Sequence, residues 1–236
     1  MSELPGYLAL AWGKQERPTR GPKPGLSLER IVAAGVAVAD AEGLAGLSMS
    51  RIAAEVGAKP MSLYRYVGSK DDLVILMIDH AGGPPPVIDA PDWRGGLAQW
   101  CWAYLGMLRA HPWILHVPIS APPATPNQLR WLEAGLRAAD RFGVLDKMQV
   151  MLLLSGYVRN WATLTADIDA AHPDAQEMMA GYGAALRALV DPGEFPELAK
   201  VIAAGAFDYN PHEPPDYDFT FGLDRILDGI ERITTG

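Results

Sequence analysis

From Ser27 to Gly83 the chain is cut into four short segments by capping residues and glycines, and this punctuation constrains the fold more than any other feature. Ser27 is a good N-cap, and behind it Leu28, Ile31, Val32, Gly35, Val36 and Ala39 recur at helical spacing until Gly43. Ser48 starts a second segment, with Ile52 and Val56 as its apolar pair and Gly57 as its stop. Pro60 suits the first turn of a third, Pro60 to Val67, which Gly68 breaks. Ser69-Lys70-Asp71-Asp72 is a Ser-x-x-acid capping box that opens a fourth helix to about Ala81. Gly82-Gly83-Pro84-Pro85-Pro86 then reads as a linker.

Helical spacing continues beyond it. Asp92 caps a helix carrying Trp93, Leu97, Trp100, Cys101, Tyr104 and Leu108, stopped by His111-Pro112. A short piece from Trp113 to Val117 precedes a proline-rich loop. Leu129, Leu132, Leu136 and Ala139 mark the next helix, and Asp146 caps a long one to about Thr165. Pro173 to Val190, Glu194 to Phe207 and an amphipathic stretch from Phe219 to Ile233 complete the series. No run alternates with period two, so the predicted fold class is all-α.

The net charge of −8 argues against a polyanionic partner until its distribution is read. Lys14 to Lys70 holds nine Lys and Arg against five Asp and Glu, whereas Ala81 to the end holds eleven against nineteen. Phosphates therefore belong with the N-terminal part. One cysteine, Cys101, excludes an intramolecular disulfide and a multi-thiolate zinc site, which fits a reducing compartment; the expected location is cytoplasmic. The most apolar stretch, Met148 to Val158, is too short for a membrane span.

Two short helices joined through a glycine and braced by a longer one describe a helix-turn-helix. Ile52 and Val56 must pack on the first helix, Gly57 must turn the chain with positive φ, and Leu63 must anchor the third helix. That helix then offers Ser62, Tyr64, Arg65 and Tyr66 outward, with Lys59 and Pro60 at its start.

Here the chain resembles the TetR family of transcriptional regulators. The matching strings are Ser48-Met49-Ser50-Arg51-Ile52-Ala53-Ala54-Glu55-Val56-Gly57, Met61-Ser62-Leu63-Tyr64-Arg65-Tyr66, and Gly68-Ser69-Lys70-Asp71-Asp72-Leu73. The stretch from Phe219 to Gly229 resembles the last helix of the tetracycline-repressor-like C-terminal domain. The resemblance implies phosphate contacts from Tyr64 and Lys70, with Ser48 and Arg51 also against the backbone. It implies base reading by Lys59, Pro60, Met61, Ser62 and Arg65. Tyr66 is expected beside Tyr64 at the phosphates, or else packed into the core. Lysine at position 59 cannot cap the recognition helix, so a side-chain cap is absent or replaced there.

Three regions follow. Residues 1–26 are expected to be a flexible basic arm whose Arg17, Arg20 and Lys23 either reach a DNA groove or form a plain solvated tail. Residues 27–81 are the helix-turn-helix domain, and 82–236 a helical domain for ligand binding and dimerisation. In the last region aromatic and methionine residues are dense. Each alone reads as core; together with the resemblance, Trp100, Tyr104, Trp113, His116, Trp131, Met148, Met151 and Ser155 are the expected pocket walls. The long helix with Ser155 and Gly156, and the last helix, are the implied dimer contact.

No catalytic motif, phosphate loop or histidine pair at metal-ligand spacing is present in the sequence, so neither an enzyme nor a cofactor is expected. The implied partners are an inverted-repeat operator in double-stranded DNA, a hydrophobic or aromatic effector, and a second copy of the chain. Two rivals stand beside this: a regulator working without a small molecule, and a helical small-molecule-binding protein or enzyme with an idle N-terminal bundle.

Overall fold

The computed structural model describes residues 5–14, 26–172, 175–208, 210, 214 and 216–232. Among them there is no strand. The helices are α1 (Gly6–Ala11), α2 (Leu28–Gly46), α3 (Met49–Glu55), α4 (Pro60–Leu63), α5 (Lys70–Gly82), α6 (Trp93–Ala110), α7 (Pro126–Ala138), α8 (Val144–Ala171), α9 (Ala175–Leu189), α10 (Pro196–Ala203) and α11 (Tyr217–Glu231). A 3₁₀ turn, Pro112–His116, lies between α6 and α7.

Four of the caps read from the sequence form as hydrogen bonds; Asp146 does not cap α8, which starts two residues earlier behind Gly143 with no side-chain cap. Ser27, Ser48 and Ser69 accept from the backbone N–H of Arg30, Arg51 and Asp72 at 3.2, 3.1 and 3.0 Å, and Asp92 accepts from Gly95 at 2.7 Å. Each satisfies an amide that the first helical turn leaves without a partner. Gly43 (φ 66°) interrupts α2 before its last turn.

Two expectations are corrected. The first 26 residues are not wholly an arm: Gly6–Ala11 is helical, because Leu10 and Ala11 find an apolar bed against the core. The Trp12 indole then donates to the Ala124 carbonyl at 2.9 Å. The second is the length of α8, which starts at Val144 and runs past Thr165 to Ala171. The hydroxyls of Thr163 and Thr165 bond back to the carbonyls of Arg159 and Trp161 at 3.0 and 3.1 Å, so these threonines do not end the helix. It stops where His172 meets Pro173, as the residue before a proline is pushed out of helical geometry.

One apolar core runs through the chain. In the N-terminal part Ile31, Ile52, Leu63, Leu73 and Met77 are fully buried and clamp α2 to α5 together. In the larger part Leu97, Cys101, Leu105, Leu154, Val158, Phe219 and Leu227 join α6, α8 and α11. Burial of each such side chain stabilises the fold by about 1.5–3 kcal/mol. Phe219 sits between Trp102, Tyr157 and Trp161, with ring centroids 4.7, 5.3 and 6.2 Å away. The N-terminal head and the helical body are thus built as one packed unit, with α5 passing from the first into the second.

Candidate nucleic-acid interface and sensing core

Gly57 adopts φ 68°, a conformation that a side chain would strain, and turns the chain from α3 into α4. Leu63 and Val67 are sealed below, so the opposite face of the short α4 turn points to solvent. Ser48, Lys59, Pro60, Met61, Tyr64, Arg65 and Lys70 are exposed; Arg51, Ser62 and Tyr66 are half-buried. Met61 is 76 % and Tyr64 46 % exposed, a large apolar outlay for a surface with nothing to read. Lys59 makes no capping hydrogen bond with its side chain, and the helix starts without one. Lys70 opens α5 directly behind its Ser69 cap.

Two residues differ from the outward face expected. Tyr66 turns inward: it packs on the core, and its hydroxyl donates to the Leu26 carbonyl at 3.0 Å, pinning the start of α2. Residues two apart in a helical turn point to opposite sides, so Tyr64 and Tyr66 cannot share one face. Arg51 is engaged by acids instead of standing open. Its Nε lies 2.9 Å from Glu42 and Nη1 2.8 Å from Glu55. The hydrogen bond to Glu55, then that to Glu42, raises the guanidinium above its ordinary value. Arg17, Arg20 and Lys23 lie outside the described residues.

In the body, four of the eight expected wall residues converge. Trp100, Tyr104 and Trp131 form a triangle with centroids 5.1, 6.2 and 5.9 Å apart. Met151 closes it against Gly135, where an added Cβ would lie 2.6 Å from the methionine sulfur. The Trp100 indole donates to the Trp131 carbonyl at 2.9 Å, and the Trp131 indole donates to Gly82 and Gly83 at 3.1 Å. The cluster is therefore wired to the end of α5. Burial raises the Tyr104 hydroxyl above its ordinary value, opposed by the charge of Arg159 beside it.

The other four lie elsewhere. Trp113 is buried at the head, where its indole donates to Asp40. His116 is exposed, Met148 is 45 % exposed, and the Ser155 hydroxyl donates to Leu152 within its own helix. The cluster is filled by its own side chains. A concavity of about 860 Å³ opens instead between residues 85–93, the start of α6 and α7, with Trp12 on its wall. A second, of about 420 Å³, lies between the end of α6, the 3₁₀ turn and α8.

Sequence reasoning missed the polar groups that join head to body. Asp79 on α5 accepts from the backbone N–H of Asn127 at 2.7 Å and of Gln128 at 3.3 Å, holding the start of α7. Asp40 on α2 takes His111 Nδ1 at 2.8 Å and the Trp113 indole at 2.7 Å. Their partners are far away along the chain, and no local pattern announces them. Among the described residues no group of His, Cys, Asp and Glu is placed to hold a metal ion, and no helix is long and apolar enough to cross a membrane.

Comparison with known proteins agrees with this architecture. Residues 31–77 match the family described as bacterial regulatory proteins, tetR family, and residues 86–234 the tetracyclin repressor-like C-terminal domain. The chain is 38 % identical over 236 residues to the HTH-type transcriptional repressor DrrR1 of Streptomyces coeruleorubidus, covering 95 % of this chain and 84 % of that one. It is 31 % identical over 212 residues to an HTH-type transcriptional regulator of Saccharopolyspora erythraea, covering 88 % and 87 %. Among solved structures, the Streptomyces coelicolor TetR family protein ActR in complex with actinorhodin superposes with a TM-score of 0.75 at 25 % identity, over 91 % of this chain and 100 % of that one. Two family matches that together span the head and the body, on a fold that presents a helix-turn-helix, establish that this chain belongs to the TetR family of bacterial regulatory proteins.

Proposed function

We propose that the chain is a dimeric transcriptional repressor that holds an inverted-repeat operator in double-stranded DNA and leaves it when a hydrophobic or aromatic small molecule binds in the C-terminal domain. The observation that carries this is the exposed face of Lys59, Pro60, Met61, Tyr64 and Arg65 on a turn locked from below by Leu63. Lys59, Pro60, Met61, Ser62 and Arg65 read base edges; Ser48, Tyr64 and Lys70 hold phosphates. Arg51 stays with Glu42 and Glu55 and orients α3. A relative that is a repressor and a neighbour crystallised with actinorhodin support the reading.

The effector enters the filled cluster of Trp100, Tyr104 and Trp131, and Met151, unbranched and adaptable, yields to it. Displacing Trp131 frees the carbonyls of Gly82 and Gly83, so the end of α5 moves. Dimerisation uses the solvent face of α8, where Leu145, Met148 and Leu152 form one apolar stripe, together with Tyr217 and Phe221 of α11. The pairing sets two reading heads on one face of the duplex.

The test is selection of duplexes from a random pool followed by affinity measurements over a salt series. A two-fold related sequence is expected, with affinity falling steeply as salt rises. Replacing Lys70 by Ala should weaken binding to every sequence alike and lower the salt slope by about 1. Replacing Arg65 by Ala should relax preference at one base pair, at a cost of about 1–3 kcal/mol. Polycyclic aromatic compounds that quench the cluster's tryptophan fluorescence should weaken operator binding roughly 5- to 150-fold. Recovery of no preferred duplex would overturn the reading.

A further inference from the structure

Two parts of the head carry it on the body: α5, which runs into the body and holds α7 through Asp79, and α2. The α5 attachment is covalent and hydrogen-bonded; the α2 attachment runs through the 3₁₀ turn Pro112–His116, which is gripped from both sides. On the head side, one carboxylate oxygen of Asp40 receives both the Trp113 indole at 2.7 Å and His111 Nδ1 at 2.8 Å. On the body side, Arg159 of α8 donates to the carbonyls of Ile114, Leu115 and Val117 at 3.0, 3.4 and 3.4 Å. Trp113 and Ile114 are buried between these grips.

Asp40 lies on α2, the brace on which α3 packs and whose start Tyr66 pins. Arg159 lies on α8, the helix whose outer stripe is assigned to the partner copy. We infer that Asp40 is a positioning residue for operator recognition: through Trp113 and His111, and from there through Arg159, it fixes the angle of each reading head relative to the dimer axis, and so sets which half-site spacing the protein accepts. This rests on the dimer-on-inverted-repeat reading above.

The physical reason is leverage. The hydrogen bonds to α7 hold α5 itself but not the helices packed beside it, whereas an attachment on α2, away from the α5 axis, holds the rest of the head against rotation about that axis. A charge-assisted pair of hydrogen bonds supplies it with direction as well as attraction. Asp40 touches no surface of the recognition turn, so its loss should leave the fit of one head to one half-site unchanged.

The experiment uses the full chain and the duplex that the wild type selects, together with a single half-site and versions with one or two base pairs inserted or deleted at the centre. Wild type should prefer one spacing sharply. Asp40→Asn and Trp113→Phe should bind the half-site as wild type does, but the preference between spacings should shrink by roughly 2- to 30-fold. Arg159→Met, which releases the other grip, should do the same, with circular dichroism and thermal midpoint reporting whether each variant is folded. A folded Asp40→Asn that keeps the wild-type spacing preference overturns the inference. So does a variant whose half-site affinity falls as much as its affinity for the full site, since that marks damage within the head. If the wild type itself selects no duplex, the regulator reading fails first and this one with it.

Discussion

Burial pushes the Cys101 thiol up to about 12, because the surrounding leucines of α6 and α8 offer a thiolate no hydration. The thiol thus stays protonated in neutral and mildly alkaline solution. Cys101 should therefore ignore a disulfide reagent in the folded protein and react fully in denaturant; prompt reaction under native conditions would show that the α6–α8 seam opens readily. The same scale separates two tyrosines that look equivalent in sequence. Tyr64 and Tyr66 stand in the turn that follows α4, where one faces solvent and the other donates to Leu26. From the sequence both are expected outward; the contact of Tyr66 with Leu26, 40 residues away, decided otherwise. Arg51, expected from the sequence against the DNA backbone, is held instead by Glu55 one turn on and by Glu42 on another helix.

Four elements, α2, α3, α5 and α6, begin where the sequence places a small polar oxygen. Removing one such cap costs a helix about 1 kcal/mol. Ser69→Ala should lower the stability to denaturant by that amount, measured as a shift in the midpoint at unchanged slope, whereas Ser69→Gly should cost only a few tenths. Because Ser69 precedes Lys70, the alanine variant should also loosen the start of α5, the place assigned to a phosphate. Element ends were harder to read. Thr163 and Thr165 look like a place for α8 to stop, yet their hydroxyls are satisfied inside the helix and it continues to Ala171. Gly6–Ala11 is too short to hold itself and forms only against the core, so nothing in its own six residues identifies it.

On the scale of the molecule, basic charge gathers at the head and acid on the body, which keeps the body off the duplex and turns the head toward it. Leu152 is 69 % exposed on α8 and contributes nothing to the core of its own chain. Leu152→Glu should consequently fold with wild-type helicity but sediment as a monomer, and its affinity for the full operator should fall by about tenfold or more as the second head is lost. A dimeric Leu152→Glu would move the contact to another face, and a monomeric wild type would overturn the dimer reading. The Trp131 contact with Gly82 and Gly83 and the Asp79 cap on α7 place the aromatic triangle and the end of α5 in direct contact.

The chain's order of residues alone determined that it is helical, where the reading head starts and turns, and which face of it is wet, because caps, glycine φ and the 3.6-residue period act within a few residues. Tertiary structure decided the rest: that Tyr66 is a brace, that Trp100, Tyr104, Trp131 and Met151 meet while His116 and Met148 do not join them, and that Asp40 and Asp79 tie head to body. Those pairings bring together residues from separate helices, and the free energy that selects them belongs to packing, on which local spacing has no bearing.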